Sequence, residues 1–155
     1  MNTSMICVCA ALIMFAVGAQ AGDGAQEVVQ VMHAYEDAWS RHDAHAIAGF
    51  YCEPAMRVTK DGPVVRETRA VQQGFFGGFL SQLVAKGYDH SAWDRLDVRL
   101  LDANTAIASG AVTRYRRDDT VFERQGVTYG LWRTDQGSKI FLSATHEPDS
   151  ALRFR

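Results

Sequence analysis

The sequence predicts an α+β domain in which three N-terminal helices pack on a cone-shaped, curved and mainly antiparallel sheet, and three observations carry that expectation. Apolar residues recur at helical spacing between Gln26 and Lys86, the pattern switches to β-rich runs from Trp93 onward, and the links between those runs are short turns. Strands joined by such links run antiparallel, because a parallel crossover needs about a dozen residues.

The elements follow in order. From Gln26 to Arg41, Val28, Met32, Tyr35 and Trp39 recur at spacings of four, three and four, which sets them on one face of a first helix. Glu36 and Asp37 fall off that stripe and read as solvated. Asp43 caps a second helix, Ala44 to Tyr51, which Glu53-Pro54 closes because proline disfavours helical geometry in the residue before it. Extended pieces Ala55 to Lys60 and Pro63 to Arg66 meet at the hairpin signal Asp61-Gly62. The third helix, Thr68 to Lys86, offers Val71, Phe75, Phe79 and Leu83, with Phe76 and Leu80, as a broad apolar face, and Gly87 ends it. Strand runs then cover Trp93 to Leu101, Thr105 to Arg116, Thr120 to Arg133 and Lys139 to Glu147. Asp102-Ala103-Asn104, Arg117-Asp118-Asp119 and Asp135-Gln136-Gly137 supply the turns between them.

The first residues read as an export signal. Met5 to Val17 is almost wholly apolar and leads into Gly18-Ala19-Gln20-Ala21, a small-x-small site with the cut expected after Ala21. That leaves 1–21 as a cleavable signal and 22–155 as one domain, secreted or periplasmic. The apolar run of about 13 residues falls short of the roughly 20 that span a bilayer, so no membrane partner is expected after cleavage. Loss of the signal removes Cys7 and Cys9 and leaves Cys52, read as a small buried hydrophobe, so no internal disulfide forms. The formal net charge of −2, from 16 Lys and Arg against 18 Asp and Glu, is interspersed and points to no nucleic-acid partner. Arg114, Arg116 and Arg117 precede Asp118-Asp119 and read as a solvated hairpin tip.

The helix bearing Tyr35 and Trp39, the link Ser40-Arg41-His42-Asp43, the ending Ala48-Gly49-Phe50-Tyr51 and the following Pro54 and strand together resemble the opening of the nuclear transport factor 2-like superfamily. That superfamily includes SnoaL-type polyketide cyclases, ketosteroid isomerases, limonene epoxide hydrolases and scytalone dehydratase. Gly126 to Arg133 and Thr145-His146-Glu147-Pro148 are similar to uncharacterised bacterial SnoaL-like proteins, and the resemblance covers about residues 25 to 149. It implies a conical pocket with an apolar wall and a few inward polar groups, and pairing of two copies through the outer face of the sheet. Matching Asp43 to the aspartate after the first helix of ketosteroid isomerase puts Tyr35 on that family's oxyanion-donating tyrosine. The same match puts Thr59 on its proton-shuttling aspartate. A threonine hydroxyl is no base near neutral pH, which departs from that mechanism.

Alternation along the last strand groups His146 with Ile140, Leu142 and Ala144, toward the cavity, where an imidazole serves as acid or base. Arg57 shares strand parity with Thr59, and Trp39, Phe75 and Phe79 supply apolar wall. His33, His42 and His45 show no ligand spacing, and the chain has no His-Glu-x-x-His, so no metal and no cofactor are expected. Gly74, Gly77 and Gly78 interleave with Phe75, Phe76 and Phe79 and read as helix packing, not as a phosphate loop. Two functions stay open. One is a binding domain that holds a small apolar or aromatic molecule, lined by Trp39, Arg57, Thr59, Phe75 and Phe79, or that presents its outer sheet face to a second copy as a dimeric interaction module. The other is a cofactor-free isomerase, dehydratase or cyclase with His146 as acid or base and Tyr35 as donor. The missing carboxylate at the shuttle position favours the first. A homodimer is a separate expectation, resting on Trp132 beside Thr128 and Gly130 on the outer face of its strand.

Overall fold

A computed structural model describes residues 17–154. The expected signal, 1–21, lies outside the described residues except for its last positions, Val17 to Ala21, which open the first helix. The elements are α1 (Val17–Ser40), α2 (Ala44–Gly49), β1 (Tyr51–Thr59), β2 (Gly62–Arg66), α3 (Arg69–Ala85), β3 (His90–Leu100), β4 (Thr105–Tyr115), β5 (Val121–Thr134), β6 (Gly137–His146) and a final 3-10 turn, Pro148–Ser150.

Local chemistry sets the helix starts. Asp43 Oδ1 accepts the Ala46 N–H at 2.9 Å, and Thr68 Oγ1 accepts the Val71 N–H at 3.3 Å, each satisfying a donor that a helix start leaves open. The base of α1 is tied to the sheet by Glu27, whose carboxylate accepts the Ser138 N–H and hydroxyl, both at 3.1 Å, and the Arg133 guanidinium at 2.6 Å.

One six-stranded sheet forms in the order β2-β1-β6-β5-β4-β3. The antiparallel meander β3 to β6 agrees with the turn spacing, and so does the β1–β2 hairpin. What joins the two is a parallel pairing of β1 with β6, Met56 opposite Leu142 and Val58 opposite Ala144. β1 starts at Tyr51, four residues before the expected Ala55. Pro54 is tolerated there because the pairing with β6 breaks register between Tyr51 and Met56, so no ladder bond is lost to the missing N–H.

The helices cover the concave face. The core gathers Val28, Met32, Tyr35, Ile47, Phe76, Leu80, Leu131 and Ile140, each of the aliphatic side chains contributing about 1.5–3 kcal/mol when fully buried. On α3 the buried row is Gln72, Phe76, Leu80 and Leu83, the last three within the expected apolar face, while Val71 stands exposed. Gln72 is accommodated in that core because its Nε2 donates to the Cys52 carbonyl at 2.8 Å. Cys52 itself is half-buried. The C-terminal segment lies over the opposite, convex face, where the Leu152 N–H donates to Ser109 Oγ at 2.9 Å and Arg95 donates to the Ala151 carbonyl at 3.2 Å. Among the described residues no helix is long and apolar enough to cross a membrane.

Candidate functional site

Between α1, α3 and the concave face lies a cleft of about 580 Å³, its open mouth included. Its centre is a cluster of three tyrosines, each from a different element. Tyr35 on α1 shares a hydroxyl–hydroxyl hydrogen bond of 2.8 Å with Tyr51 at the start of β1, and its ring meets that of Tyr129 on β5 edge-on at 5.6 Å. Burial raises all three phenols above their ordinary value of 10.0, so they remain protonated donors at any physiological pH. The walls are aromatic. Trp39 meets Phe76 at 5.6 Å and Phe79 at 6.0 Å, both edge-on, and Trp93 closes the β3 side.

Two charged groups enter this apolar frame. Arg114 is buried, paired with Glu123 directly across the β4–β5 ladder, and its Cζ lies 5.3 Å from the Trp39 ring centre. Glu36 lines the same cleft, and its Oε1 is enclosed without any hydrogen-bond partner. Burial, and then the neighbouring charge of Asp37, push the Glu36 carboxyl up to about 7, against a smaller opposing effect of the Trp93 backbone N–H. A carboxyl at that value exchanges its proton near neutral pH.

The residues singled out from the sequence divide. Tyr35, Trp39, Arg57 and Phe79 all line the cleft. Thr59 does not: its hydroxyl donates to the Gly62 carbonyl at 3.0 Å and closes the hairpin end. Phe75 lies beside the cleft and stacks on Phe79 at 5.9 Å. His146 is on the other side of the sheet. Its ring lies over Gly126, where an added Cβ would come within 2.3 Å of Nδ1, and its Nε2 is 2.9 Å from Thr128 Oγ1 while Nδ1 is 2.9 Å from the Glu147 carbonyl. The reason is a bulge. Gly130 pairs with Leu142 but Leu131 pairs with Ile140, so β6 holds an extra residue, Phe141, and the alternation that places Ile140 inward turns His146 outward. His146 and Tyr35 therefore share no site. The carboxylate at Glu36 and the buried Arg114 correct two further expectations, since sequence alone reads both as solvated. Glu36 follows directly on Tyr35, and the cleft takes in Tyr35, Glu36 and Trp39 of α1 together, a distinction the helical period alone does not carry. Among the described residues no group of His, Cys, Asp and Glu is arranged to hold a metal.

The model of the family described as NTF2-like protein (DUF6841) matches residues 26–148. The chain belongs to that family. No functionally curated protein matches it. This NTF2-like chain is similar in fold to an NTF2-like protein with a cystatin-like fold from Novosphingobium aromaticivorans, at 16% identity and a TM-score of 0.72, over 88% of this chain and 94% of that one. It is also similar to Aln2 from a Streptomyces species, at 16% identity and a TM-score of 0.64, over 80% and 90% of the two chains. A third is an NTF-2 like protein of unknown function from Shewanella oneidensis, at 19% identity and a TM-score of 0.62, over 77% and 96%. At these identities the likeness is one of fold.

Proposed function

We propose that this NTF2-like domain binds a small aromatic molecule carrying a hydroxyl or carbonyl oxygen, held in the cleft with its ring against Trp39, Phe76 and Phe79 and its oxygen toward the tyrosines. The observation that carries this is the placing of tyrosine hydroxyls beside an aromatic wall in a partly open cleft. Apolar lining supplies affinity and a few fixed donors set orientation. Native mass spectrometry of the protein isolated from its own host tests this, with a retained small molecule expected on the wild type and lost from a Trp39→Ala variant. A wild-type protein that carries nothing, and whose unfolding temperature no aromatic alcohol or ketone raises, contradicts it.

The enclosed, unpartnered Glu36 Oε1 favours a second reading, in which the same cleft performs acid–base chemistry on its ligand without a cofactor. Glu36 then takes a proton from a carbon next to a carbonyl, and a tyrosine hydroxyl holds the oxygen that gains charge. A probe ketone such as 2-tetralone tests it in D2O, with exchange of its α-protons accelerated by the wild type and not by Glu36→Gln. No acceleration removes this reading and leaves the first.

Two attributes accompany the binding role. Export after cleavage at Ala21 places Gly22 at the mature N-terminus, which N-terminal sequencing of the secreted fraction checks. Pairing of two copies through the convex face is supported by Trp132 and Phe141, both exposed there. Sedimentation at micromolar concentration distinguishes dimer from monomer.

A further inference from the structure

The β1–β2 hairpin carries two guanidiniums that face no carboxylate among the described residues. In its ladder Arg57 lies opposite Val64 and Arg66 opposite Ala55, so the two arginines are diagonal neighbours on the face that buries Ala55. Both are half-buried, and among the described residues neither comes within ion-pair distance of an Asp or Glu, although every strand from β3 to β5 contains an arginine that does. Like charges on one face of a hairpin repel. Their nearest neighbours are aromatic: Arg66 Cζ is 3.6 Å from the Phe75 ring centre, and Arg57 Cζ is 5.7 Å from Phe75 and 5.8 Å from Phe79. Burial, then the charge of Arg57, lowers the Arg66 guanidinium from its ordinary value. Two such cations held together on a partly apolar wall form a site missing its anion.

A small chamber, open to solvent, is lined by both Arg57 and Arg66. Tyr51, Arg57, Phe76 and Ser143 line both this chamber and the main cleft, so the two are adjacent. Its far wall is Gln72, 1% exposed, whose Nε2 is used by the Cys52 carbonyl and whose Oε1 has no partner. The chamber thus holds two unpaired cations and one buried acceptor awaiting a donor, such as a hydroxyl or water that enters with a ligand.

We propose that this chamber is an anion subsite, which seats the carboxylate of an aromatic acid between Arg57 and Arg66 while the ring occupies the tyrosine-centred cleft. The inference rests on the binding reading above and narrows it from aromatic molecules to aromatic carboxylic acids. Guanidinium and carboxylate match in planar, two-point hydrogen bonding, and the aromatic faces already under both arginines hold the guanidiniums in place before the ligand arrives.

Calorimetric titration with 2-naphthoate and its neutral counterpart 2-naphthamide tests the subsite. The wild type is expected to bind the acid about 10-fold more tightly than the amide, as a charge-assisted pair provides. Arg66→Met, which lies outside the main cleft and keeps apolar contact with Phe75, is expected to remove most of that preference while changing amide binding by less than about 2-fold, and Arg57→Met is expected to remove the preference as well. On the unaltered protein, raising the salt from about 0.05 to 0.5 M is expected to weaken the acid and spare the amide. Equal binding of acid and amide by the wild type, with no salt dependence, overturns the subsite and leaves the aromatic cleft standing. Failure of both probes to bind overturns the cleft as well.

Discussion

The two faces of the sheet carry similar polar chemistry under opposite conditions. On the convex face Ser109, Thr128 and His146 form a row across β4, β5 and β6, with Ser109 Oγ 2.7 Å from Thr128 Oγ1 and Thr128 Oγ1 2.9 Å from His146 Nε2. The row is closed at both ends, by the Leu152 N–H on Ser109 and the Glu147 carbonyl at His146. On the concave face the hydroxyls of Tyr35 and Tyr51 are bonded to each other, yet among the described residues Glu36 Oε1 and Gln72 Oε1 find no partner and Arg57 and Arg66 no counter-charge. A polar group satisfied by its own chain stabilises the fold, whereas an unsatisfied one beside a cavity is a cost that a ligand can relieve. Under the proposed binding role, the convex side serves structure and the concave side recognition.

Cutting into each face in turn breaks or sharpens that contrast. The largest effect is expected from Trp39→Ala, which empties the space between Tyr35, Phe76 and Phe79 and should cost about 3–5 kcal/mol of stability in denaturant unfolding. Trp132→Ala, on an exposed convex position, should change the monomer by less than about 0.5 kcal/mol in the same measurement.

Next comes Gly126→Ala. A Cβ there would lie 2.3 Å from His146 Nδ1 and 2.4 Å from the Glu147 carbonyl oxygen, and the second contact is backbone that cannot swing aside. The substitution should cost about 1–3 kcal/mol and leave ligand binding within about 2-fold, since it disturbs only the convex row.

A smaller effect is tied to pH. Glu36 has its proton affinity raised on folding, from 4.5 to about 7, so between these values the folded protein holds a proton that the unfolded chain has released. Its contribution to stability is therefore fully present below about pH 4.5 and declines as pH rises through about 7. Because Glu36 is only partly buried, the loss is discounted to about 1 kcal/mol. Glu36→Gln should flatten this part of the pH–stability profile between pH 5 and 8, and a variant profile parallel to the wild type would remove Glu36 as its source.

Much of the fold is legible in the sequence because it is local. Helical spacing locates Val28, Met32, Tyr35 and Trp39, and the turn residues fix four strands in antiparallel order. The parallel pairing of β1 with β6 is not legible, because it joins segments about ninety residues apart and leaves no local period. Of the site, the tyrosine on α1 and the aromatic walls are readable, since they share the core stripe. His146 is displaced from its expected face by one bulged residue, Phe141, which inverts every side chain beyond it, and Gly130 and Gly126 are the signal that rings lie on the convex face there. Glu36 and Arg114 escape a sequence reading because charge predicts solvent, and a cavity wall is the exception. The arginine pair requires the hairpin register, which sets Arg57 and Arg66 diagonal across a turn.

The most direct measurement compares Tyr35→Phe with His146→Gln, each titrated by calorimetry with 2-naphthol, whose hydroxyl the proposed binding mode turns toward the tyrosines, and each unfolded thermally. Tyr35→Phe should weaken binding by about 5- to 10-fold and lower stability by only about 1 kcal/mol, the loss of one hydroxyl contact. His146→Gln should leave binding within about 2-fold, whatever it does to the melting temperature, because its ring is confined to the convex row. The reverse result, with binding lost in His146→Gln and kept in Tyr35→Phe, would contradict the assignment of recognition to the concave face.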